Sequence, residues 1–334
     1  MAAAGQAAPA GLPVAVDAMG GDKAPGEIVA GARQASEELG IPVLLVGRPE
    51  ELGDTGDLEI LAATEVIEME DDPGQGVRTK KDSSLVRAAE AVRDGRALAM
   101  VSAGNTGATM ASALLRMGRI RGISRPAIAT PIPRPATHPS VLLDAGANAE
   151  CSPAMLVQFA QMGSAYATAR YGTPRPKVAL LSIGEEKSKG TPLVKETHAL
   201  LAELPGISFM GNVEGRDLLA GEADVVVTDG FTGNVALKSL EGALRFFMDA
   251  LLGVFDTDEA TRGAAQVLFP HLAPFAAAFD PDNTGGAMLL GVDGVCVISH
   301  GSSSARAVVA AVQVAHDVAT GGLVDRLKQA VDPG

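Results

Sequence analysis

The chain has 334 residues, of which 47% are hydrophobic, so it is long enough to bury a large core in one domain or two smaller ones. Its formal net charge of −13 argues against a general nucleic-acid binder, which would present a basic surface. Two cysteines are too few for a disulfide framework, and no run of about 18 apolar residues predicts a membrane span. Residues 1–12 are rich in Ala, Gly and Pro; we expect a disordered tail and a cytoplasmic protein.

Short apolar runs recur along the chain, and each precedes a Gly-rich polar turn and a segment with helical periodicity. Consecutive apolar residues predict strands that are covered on both faces. The six predicted strands lie at 14–16, 98–101, 141–143, 178–181, 224–227 and 295–298. Six such units predict a three-layer α/β fold with a doubly wound, mostly parallel sheet, whose working loops meet in one crevice at the carboxyl ends of the strands. Residues 13–334 show no repeat and no flexible linker, so we expect a single domain.

Charge is unevenly spread. Residues 75–134 contain eleven Lys and Arg against three acids, a local net charge of +8 on an otherwise acidic chain. Such a zone fits a small anionic substrate or an acidic partner protein. The competing interpretation is that these side chains lie on solvated helix faces.

The segment at about 240–282 departs from the strand and helix pattern. Six of the nine phenylalanines lie between residues 246 and 279. This composition predicts a Phe-rich helical hairpin, broken or kinked at Pro270 and Pro274. The hairpin would form a dimer interface, touch a membrane or belong to the ordinary core, and the sequence does not choose among the three.

The Gly-rich turns are the candidate functional loops of the chain. The absence of several known motifs reduces the number of reactions that these loops could perform. The sequence has no G-x-x-x-x-G-K-[ST] loop, no G-x-G-x-x-G, no G-x-S-x-G and no H-E-x-x-H. ATP-driven reactions, ordinary dinucleotide binding, serine hydrolysis and zinc proteolysis therefore lose support. Turns such as 104–107 and 230–234 open predicted helices, so their backbone amides and the positive ends of the helix dipoles can hold an anion. We expect a phosphate or carboxylate ligand.

Nine segments in order resemble the phosphate acyltransferases of bacterial phospholipid synthesis, and together they span nearly the whole chain. The matching segments are 14–22, 78–84, 101–108, 143–148, 183–186, 211–217, 229–234, 285–286 and 300–303. The stretch 187–189 departs from the family pattern: Lys189 is the matched position and Lys187 is an addition. The resemblance implies a fold like that of the isocitrate and isopropylmalate dehydrogenases and of phosphotransacetylase.

The resemblance also implies an activity and partners. It implies reversible transfer of a fatty acyl group from acyl-acyl carrier protein to inorganic phosphate, giving the acyl phosphate used for glycerol-3-phosphate acylation. A homodimer is implied, with peripheral membrane contact through the Phe-rich segment as a further hypothesis. A thioester is already activated, so phosphate can attack it directly, and we expect no cofactor, no resident metal and no nucleic-acid partner.

Three candidates have assigned catalytic roles. Lys189 helps to hold phosphate, and Asn105 donates to the oxyanion, with Asn234 or a backbone N–H as alternatives. His300 protonates the leaving sulfur, bonds the phosphate or serves a structural hydrogen bond. The candidate substrate- and phosphate-binding residues are Asp17, Gly20, Gly21, Lys80, Lys81, Ser102, Gly104, Thr106, Gly107, Asp144, Asn148, Glu185, Asp229, Gly230, Gly233, Asn234 and Ser302.

Three of the candidate residues are aspartates, although a free carboxylate would repel phosphate. Asp17, Asp144 and Asp229 each stand at a strand end, and we expect them to cap helices or to orient the lysines rather than to act in catalysis. Cys151 as a covalent acyl carrier is disfavoured, since direct attack needs no thiol.

Two functions compete with acyl transfer. One is an NAD-dependent decarboxylating dehydrogenase on a similar fold. The other is a non-catalytic scaffold that docks a carrier protein or a membrane.

Overall fold

A computed structural model describes residues 11–134 and 138–331, so most of the predicted tail, residues 1–10, lies outside the described residues. Within them the strands form one eleven-stranded sheet in the order β3-β2-β1-β4-β11-β10-β5-β6-β9-β7-β8. The strands are β1 Val14–Asp17, β2 Val43–Gly47, β3 Glu59–Ala62, β4 Ala99–Ser102, β5 Ala127–Ile132, β6 Ser140–Leu143, β7 Lys177–Leu181, β8 Ser208–Val213, β9 Val225–Val227, β10 Ala287–Leu290 and β11 Val295–Ile298. All six predicted strands are confirmed.

Eleven helices are assigned in the described part of the chain, with one 3-10 turn at Pro281–Asn283. The helices are α1 Gly26–Leu39, α2 Pro73–Thr79, α3 Ser84–Arg93, α4 Thr106–Arg116, α5 Pro153–Tyr171, α6 Pro192–Glu203, α7 Asp217–Ala220, α8 Gly230–Phe255, α9 Glu259–Phe279, α10 Ala305–Thr320 and α11 Leu323–Val331. Most begin at a short polar side chain that accepts a hydrogen bond from the first turn; Ser83, for example, caps α3.

The sheet reverses its direction at β5. Seven of its ten strand pairs are parallel, which confirms the mostly parallel α/β fold. However, β10 pairs antiparallel with both β11 and β5, and β5 pairs antiparallel with β6. Strands β6 to β10 therefore run opposite to β1 to β5 and β11. The expectation of a single set of loops at one edge is wrong, because the carboxyl ends of the two sets of strands emerge at opposite edges of the sheet.

Helices cover both faces of the sheet and make three layers. Val14 and Val16 of β1 point into a core cluster shared with α1, α5, α10 and α11, whereas Ala15 points into a second cluster shared with α3 and α4. A third cluster joins β6, β7 and β9 to the start of α8. This period-two alternation between two buried faces explains why the strand sequences are continuously apolar.

The Phe-rich segment forms a hairpin of α8 and α9, with the rings of Phe255 and Phe269 packed edge to face at 5.6 Å. The expected break is wrong, since α9 continues through Pro270 and Pro274. The interpretation that the hairpin belongs to the ordinary core is also wrong for a single copy of the chain. Phe246 has 75% of its surface accessible and projects into solvent. Phe247 and Phe269 are likewise exposed.

The helices in the described part of the chain differ in length and apolar content. None is by itself long and apolar enough to cross a bilayer. Only α10 and α11 taken together, which meet at a bend of 58°, satisfy that length and composition test.

The contact between α1 and α10 generates a first prediction. A Cβ at Gly31 would lie 2.6 Å from Val308 Cβ and against the Ala305 carbonyl oxygen, whereas a Cβ at Gly26 of the same helix would have no neighbour within 4 Å. Gly31→Ala should therefore lower the free energy of unfolding by about 1–3 kcal/mol through overpacking. Gly26→Ala should leave it unchanged or raise it slightly, because alanine favours helix. Urea unfolding of both variants measures this; equal midpoints would contradict the packing described.

Candidate functional site

A buried carboxylate organises the loops that follow β1 and β4. Asp17 at the end of β1 accepts a hydrogen bond of 2.7 Å from the Ser102 hydroxyl, which in turn accepts one of 3.1 Å from the Gly104 N–H. Burial raises the pKa of Asp17, while hydrogen bonds from Ser84, Ser102 and the amides of Met19 and Gly20 oppose the rise. Asp17 therefore fixes the loop that follows β1. Among the described residues it neither caps a helix nor contacts a lysine, so the expectation for this aspartate is wrong.

Glycines let three loops touch one another. A Cβ at Gly20 would lie 2.6 Å from Asp17 Oδ2 and 2.8 Å from the Gly104 nitrogen. The loop after β11 joins them, because the Asp22 N–H donates to the Gly301 carbonyl at 2.8 Å. We call the segments 17–22, 102–107 and 299–304 the first loop group. Their contact confirms that the loops after β1, β4 and β11 come together.

The amino end of α4 lies within this group. The Asn105 side chain caps the helix by accepting the Ala108 N–H at 3.0 Å, and its amide donates to the carbonyls of Met69 and Asp71. These contacts of Asn105 are structural, so they do not favour its predicted role as an oxyanion donor. The first-turn amides of Thr106 and Gly107 have no carbonyl one turn earlier in the helix, so they are the donors that α4 offers to a ligand.

The two neighbouring lysines differ in their surroundings. Lys80 Nζ donates to Asp71 at 2.5 Å and to the Val66 carbonyl at 2.8 Å, and this contact holds the pKa of Asp71 below its usual range. Lys80 therefore fastens the segment 66–80 beside α4 instead of facing a ligand freely. Lys81 is exposed and makes no ion pair with any residue of the described chain.

His300 projects from the first loop group on a fixed backbone. Its carbonyl accepts hydrogen bonds from the Ser303 N–H and hydroxyl, and the Ser303 hydroxyl also pairs with Ser299. The ring is exposed, with Nε2 3.9 Å from Oε1 of Glu241 on α8. Contact with His300 holds the pKa of Glu241 down at about 2, and Lys238, 2.8 Å away, acts in the same sense. Glu241 was not among the candidates, because its partner lies far along the chain. Ser302 is exposed in the same loop.

A second loop group stands at the opposite edge and also depends on a buried aspartate. Asp144 accepts hydrogen bonds from the amides of Ile128, Gly146, Ala147 and Asn148 and from the Asn148 side chain. Asp144 thus shapes the loop after β6. We use the name second loop group for segments 144–148, 182–190, 212–217 and 229–234.

The start of α8 is packed against that loop. Asp229 caps the helix through the Thr232 N–H at 2.8 Å, as expected of it. Gly233 leaves no room for a Cβ beside the Asp144 carbonyl, and the Gly230 N–H donates to the Asn148 carbonyl at 2.8 Å. Asn234 donates to the Ala145 carbonyl at 3.2 Å, so it too has a structural hydrogen bond.

Lys189 belongs to the second loop group and not to the first. Its stem lies over Gly184, where a Cβ would come within 2.8 Å of Lys189 Cγ. Glu185 of the same loop faces Arg216 at 3.6 Å. Lys189 and Glu185 are therefore separated from the Asn105 and His300 loops, and none of the three aspartates forms an ion pair with a lysine among the described residues.

Partly buried apolar side chains from both halves of the chain pack on one core cluster. The core cluster beneath α3 and α4 also includes Ala145 of the second group. The partly buried side chains that pack on this cluster include Met110, Ala111, Ala147, Leu237 and Ala287. We call these five residues the apolar strip; they come from α4, α8, β10 and the loop after β6.

The cationic zone is largely neutralised in the folded chain. Six of its eleven basic side chains form ion pairs: Lys80, Arg87, Arg93, Arg96, Arg116 and Arg134. The solvated-face interpretation therefore holds for much of this zone. Within the described ranges, no three His, Cys, Asp or Glu side chains gather as a group that would bind a metal.

Comparison with known proteins gives consistent matches. Residues 12–326 match the family described as "Fatty acid synthesis protein". The chain is 48% identical over 325 residues to "Phosphate acyltransferase" of Elusimicrobium minutum, covering 95% of each chain. Among solved structures, a branched-chain phosphotransacylase from Enterococcus faecalis superposes with a TM-score of 0.61 at 17% identity, covering 92% of this chain and 99% of that one. A phosphotransacetylase from Staphylococcus aureus also gives 0.61, at 16% identity and with 93% and 94% covered. At such identities the two structures establish the fold alone.

The environment of Cys151 yields a prediction about its reactivity. Burial raises the pKa of the Cys151 thiol to about 11, assisted by Asp144 and Asp229 and opposed by the Gly230 N–H. Because only the thiolate is nucleophilic, alkylation of native Cys151 should be slow at pH 8 and should accelerate only as the pH approaches 11. Iodoacetamide labelling followed by mass spectrometry measures the rate, with the urea-unfolded chain as control. Rapid labelling of the native protein at pH 8 would contradict this environment.

Proposed function

The chain belongs to the fatty acid synthesis protein family, with phosphate acyltransferases among its relatives, and from that premise we propose how its two loop groups perform acyl transfer to phosphate. The protein is an acyltransferase of fatty acid and phospholipid synthesis that transfers an acyl group to phosphate. The comparisons do not favour the dehydrogenase alternative. We propose acyl-acyl carrier protein as the donor, so that the products are acyl phosphate and the free carrier thiol.

Phosphate binding is assigned to the first loop group. The observation that carries this assignment is the contact of three loops around the amino end of α4, where Gly20, Gly104 and Gly301 bring backbones together. First-turn amides and the helix dipole favour an anion there. Among the described basic residues that precede α4 in the chain, exposed Lys81 is the nearest one without an ion pair. Hydrogen bonds from Ser84, Ser102 and two backbone amides engage the carboxyl group of buried Asp17, and this reduces its repulsion of phosphate.

The reaction then needs three contributions from the chain. Phosphate must be held in line with the thioester carbonyl, the tetrahedral oxyanion must be stabilised, and the thiolate must leave. With Asn105 and Asn234 engaged elsewhere, backbone amides of the first loop group take the oxyanion role, which is typically worth roughly 3 kcal/mol. His300 is assigned to the leaving sulfur, because its ring is exposed on a backbone fixed by Ser303.

The acyl chain is assigned to the apolar strip. Met110, Leu237 and Ala287 are partly buried and lie on a cluster that reaches both loop groups. A fatty acyl chain gains about 0.8 kcal/mol for each methylene group that it removes from water, so such a surface beside the phosphate site retains the substrate. We assign binding of the acidic carrier protein to the second loop group, where Lys187 and Lys189 are exposed.

A second copy of the chain is proposed to cover the α8–α9 hairpin. Its exposed phenylalanines and valines lie on helices that pack on each other, and exposed apolar side chains gathered in this way are typical of an interaction surface. A peripheral membrane contact at the hairpin is the alternative occupant, and we expect a cytoplasmic protein in either case.

The activity is tested by incubating the protein with a long-chain acyl-acyl carrier protein and phosphate and trapping the product with hydroxylamine. Phosphate-dependent hydroxamate is expected. Gly20→Ala should lower kcat/KM for phosphate roughly 100-fold, because the added methyl group displaces the Gly104 backbone. Gly74→Ala, whose Cβ would meet only the Asp72 side chain at an ordinary 3.6 Å, is the control and should change the value less than about twofold. Hydroxamate without added phosphate, or equal values for both variants, would count against the assignment.

The hairpin is tested with the double variant Phe246→Ser and Phe247→Ser. Light scattering should give twice the chain mass for the wild type and a lower mass for the variant, since the serines remove the apolar contact. Flotation with anionic phospholipid vesicles is measured in parallel. An unchanged mass together with lost flotation would assign the hairpin to a membrane instead of to a second copy.

A further inference from the structure

Helix α8 carries a carboxylate from the second half of the molecule to the imidazole of the first loop group. Glu241 lies three turns beyond the start of α8, which is fixed at the opposite edge of the sheet by the Asp229 cap and by the contact of Gly233 with the loop after β6. Its Oε1 faces His300 Nε2 at 3.9 Å, and its Oε2 accepts a hydrogen bond of 2.8 Å from Lys238. Two independently anchored segments therefore meet at this pair.

We propose that Glu241 is a positioning residue for acyl transfer: it orients His300, so that the nitrogen turned away from Glu241 faces the departing sulfur and donates a proton to it. This inference rests on the proposed function. A carboxylate beside an imidazole stabilises the imidazolium and restricts rotation of the ring. Within the described ranges no other side chain forms an ion pair with this ring, so Glu241 is the side chain that gives it a direction.

In the proposed acyl transfer, a phosphate oxygen forms a bond to the carbonyl carbon, the carbon–sulfur bond breaks, and the sulfur takes the proton from His300 Nδ1. The products are acyl phosphate and a free thiol, and His300 regains its proton from solvent. General acid catalysis of this kind matters most when the leaving thiolate is basic, as an alkyl thiolate is, and matters little for an aryl thiolate.

Other charged groups surround the loop that carries His300 and must be kept constant in the test. Asp22 follows β1 and contacts Gly301, Glu27 of α1 accepts the Ala305 N–H at 2.7 Å, and Lys238 shares Glu241. Asp280 and Asp282, at the end of the hairpin, engage Arg306 and Ser304. A Glu241→Gln variant preserves the shape of the side chain and leaves the other carboxylates unchanged, but it removes the charge with which Lys238 is paired.

The test compares alkyl and aryl thioesters of one fatty acid as donors at saturating phosphate. Glu241→Gln should lower kcat with the alkyl thioester about tenfold and His300→Asn roughly 100-fold, whereas the aryl thioester should respond to neither by more than about twofold. Since Glu241 acts through His300, the double variant should be no slower than His300→Asn alone.

Controls separate this inference from a structural effect and from the proposed function. Glu222→Gln removes a carboxylate that is likewise paired with a lysine, Lys177 at 2.6 Å, but that faces no imidazole, and it should behave as wild type. Glu241→Asp keeps the charge and should recover part of the rate. Equal slowing of both donors by Glu241→Gln, or additive losses in the double variant, would overturn the positioning role. Absence of acyl phosphate from the wild type would instead overturn the proposed function.

Discussion

The hydrogen bond between Asp17 and Ser102 is the interaction on which the candidate site depends. It joins the ends of two neighbouring parallel strands inside the protein, with Asp17 only 2% accessible. This contact holds the Gly20 and Gly104 backbones so close together that there is no room for a Cβ atom on Gly20. The second half repeats the device, since Asp144 is fully buried and gathers four backbone amides. In both halves a buried carboxylate fixes a Gly-rich loop at a strand end, and such preorganisation suits electrostatic catalysis.

The reversal of the sheet makes α8 a connecting element. The helix starts in the second loop group, contributes Leu237 to the apolar strip and reaches His300 with Glu241 before it continues into the exposed hairpin. A single rigid element thus touches the proposed acyl surface, the proposed proton donor and the proposed subunit contact.

Sequence patterns predicted the strands that are buried on both faces, because consecutive apolar residues leave a clear signal, as in β1 and β11. They did not predict the antiparallel strands β5 and β10 or the reversal that these create, since a strand's direction leaves no mark on its own composition. The residue types at the site were predictable, but their roles depended on contacts distant in sequence. Asn105 caps α4 and ties the segment at Met69, Lys80 is held by Asp71, and Lys189 lies with the other group. Glu241 left no signal at all, because only the packing of α8 brings it to His300.

The central claim is that phosphate is bound at the amino end of α4, between the loops that follow β1, β4 and β11. A crystal structure of the full chain grown with inorganic phosphate tests it most directly. Tetrahedral density is expected within hydrogen-bonding distance of the Thr106 and Gly107 amides. The same density should be absent from crystals of the Gly20→Ala variant. Density beside Lys189 and Asn234, with none at α4, would contradict it.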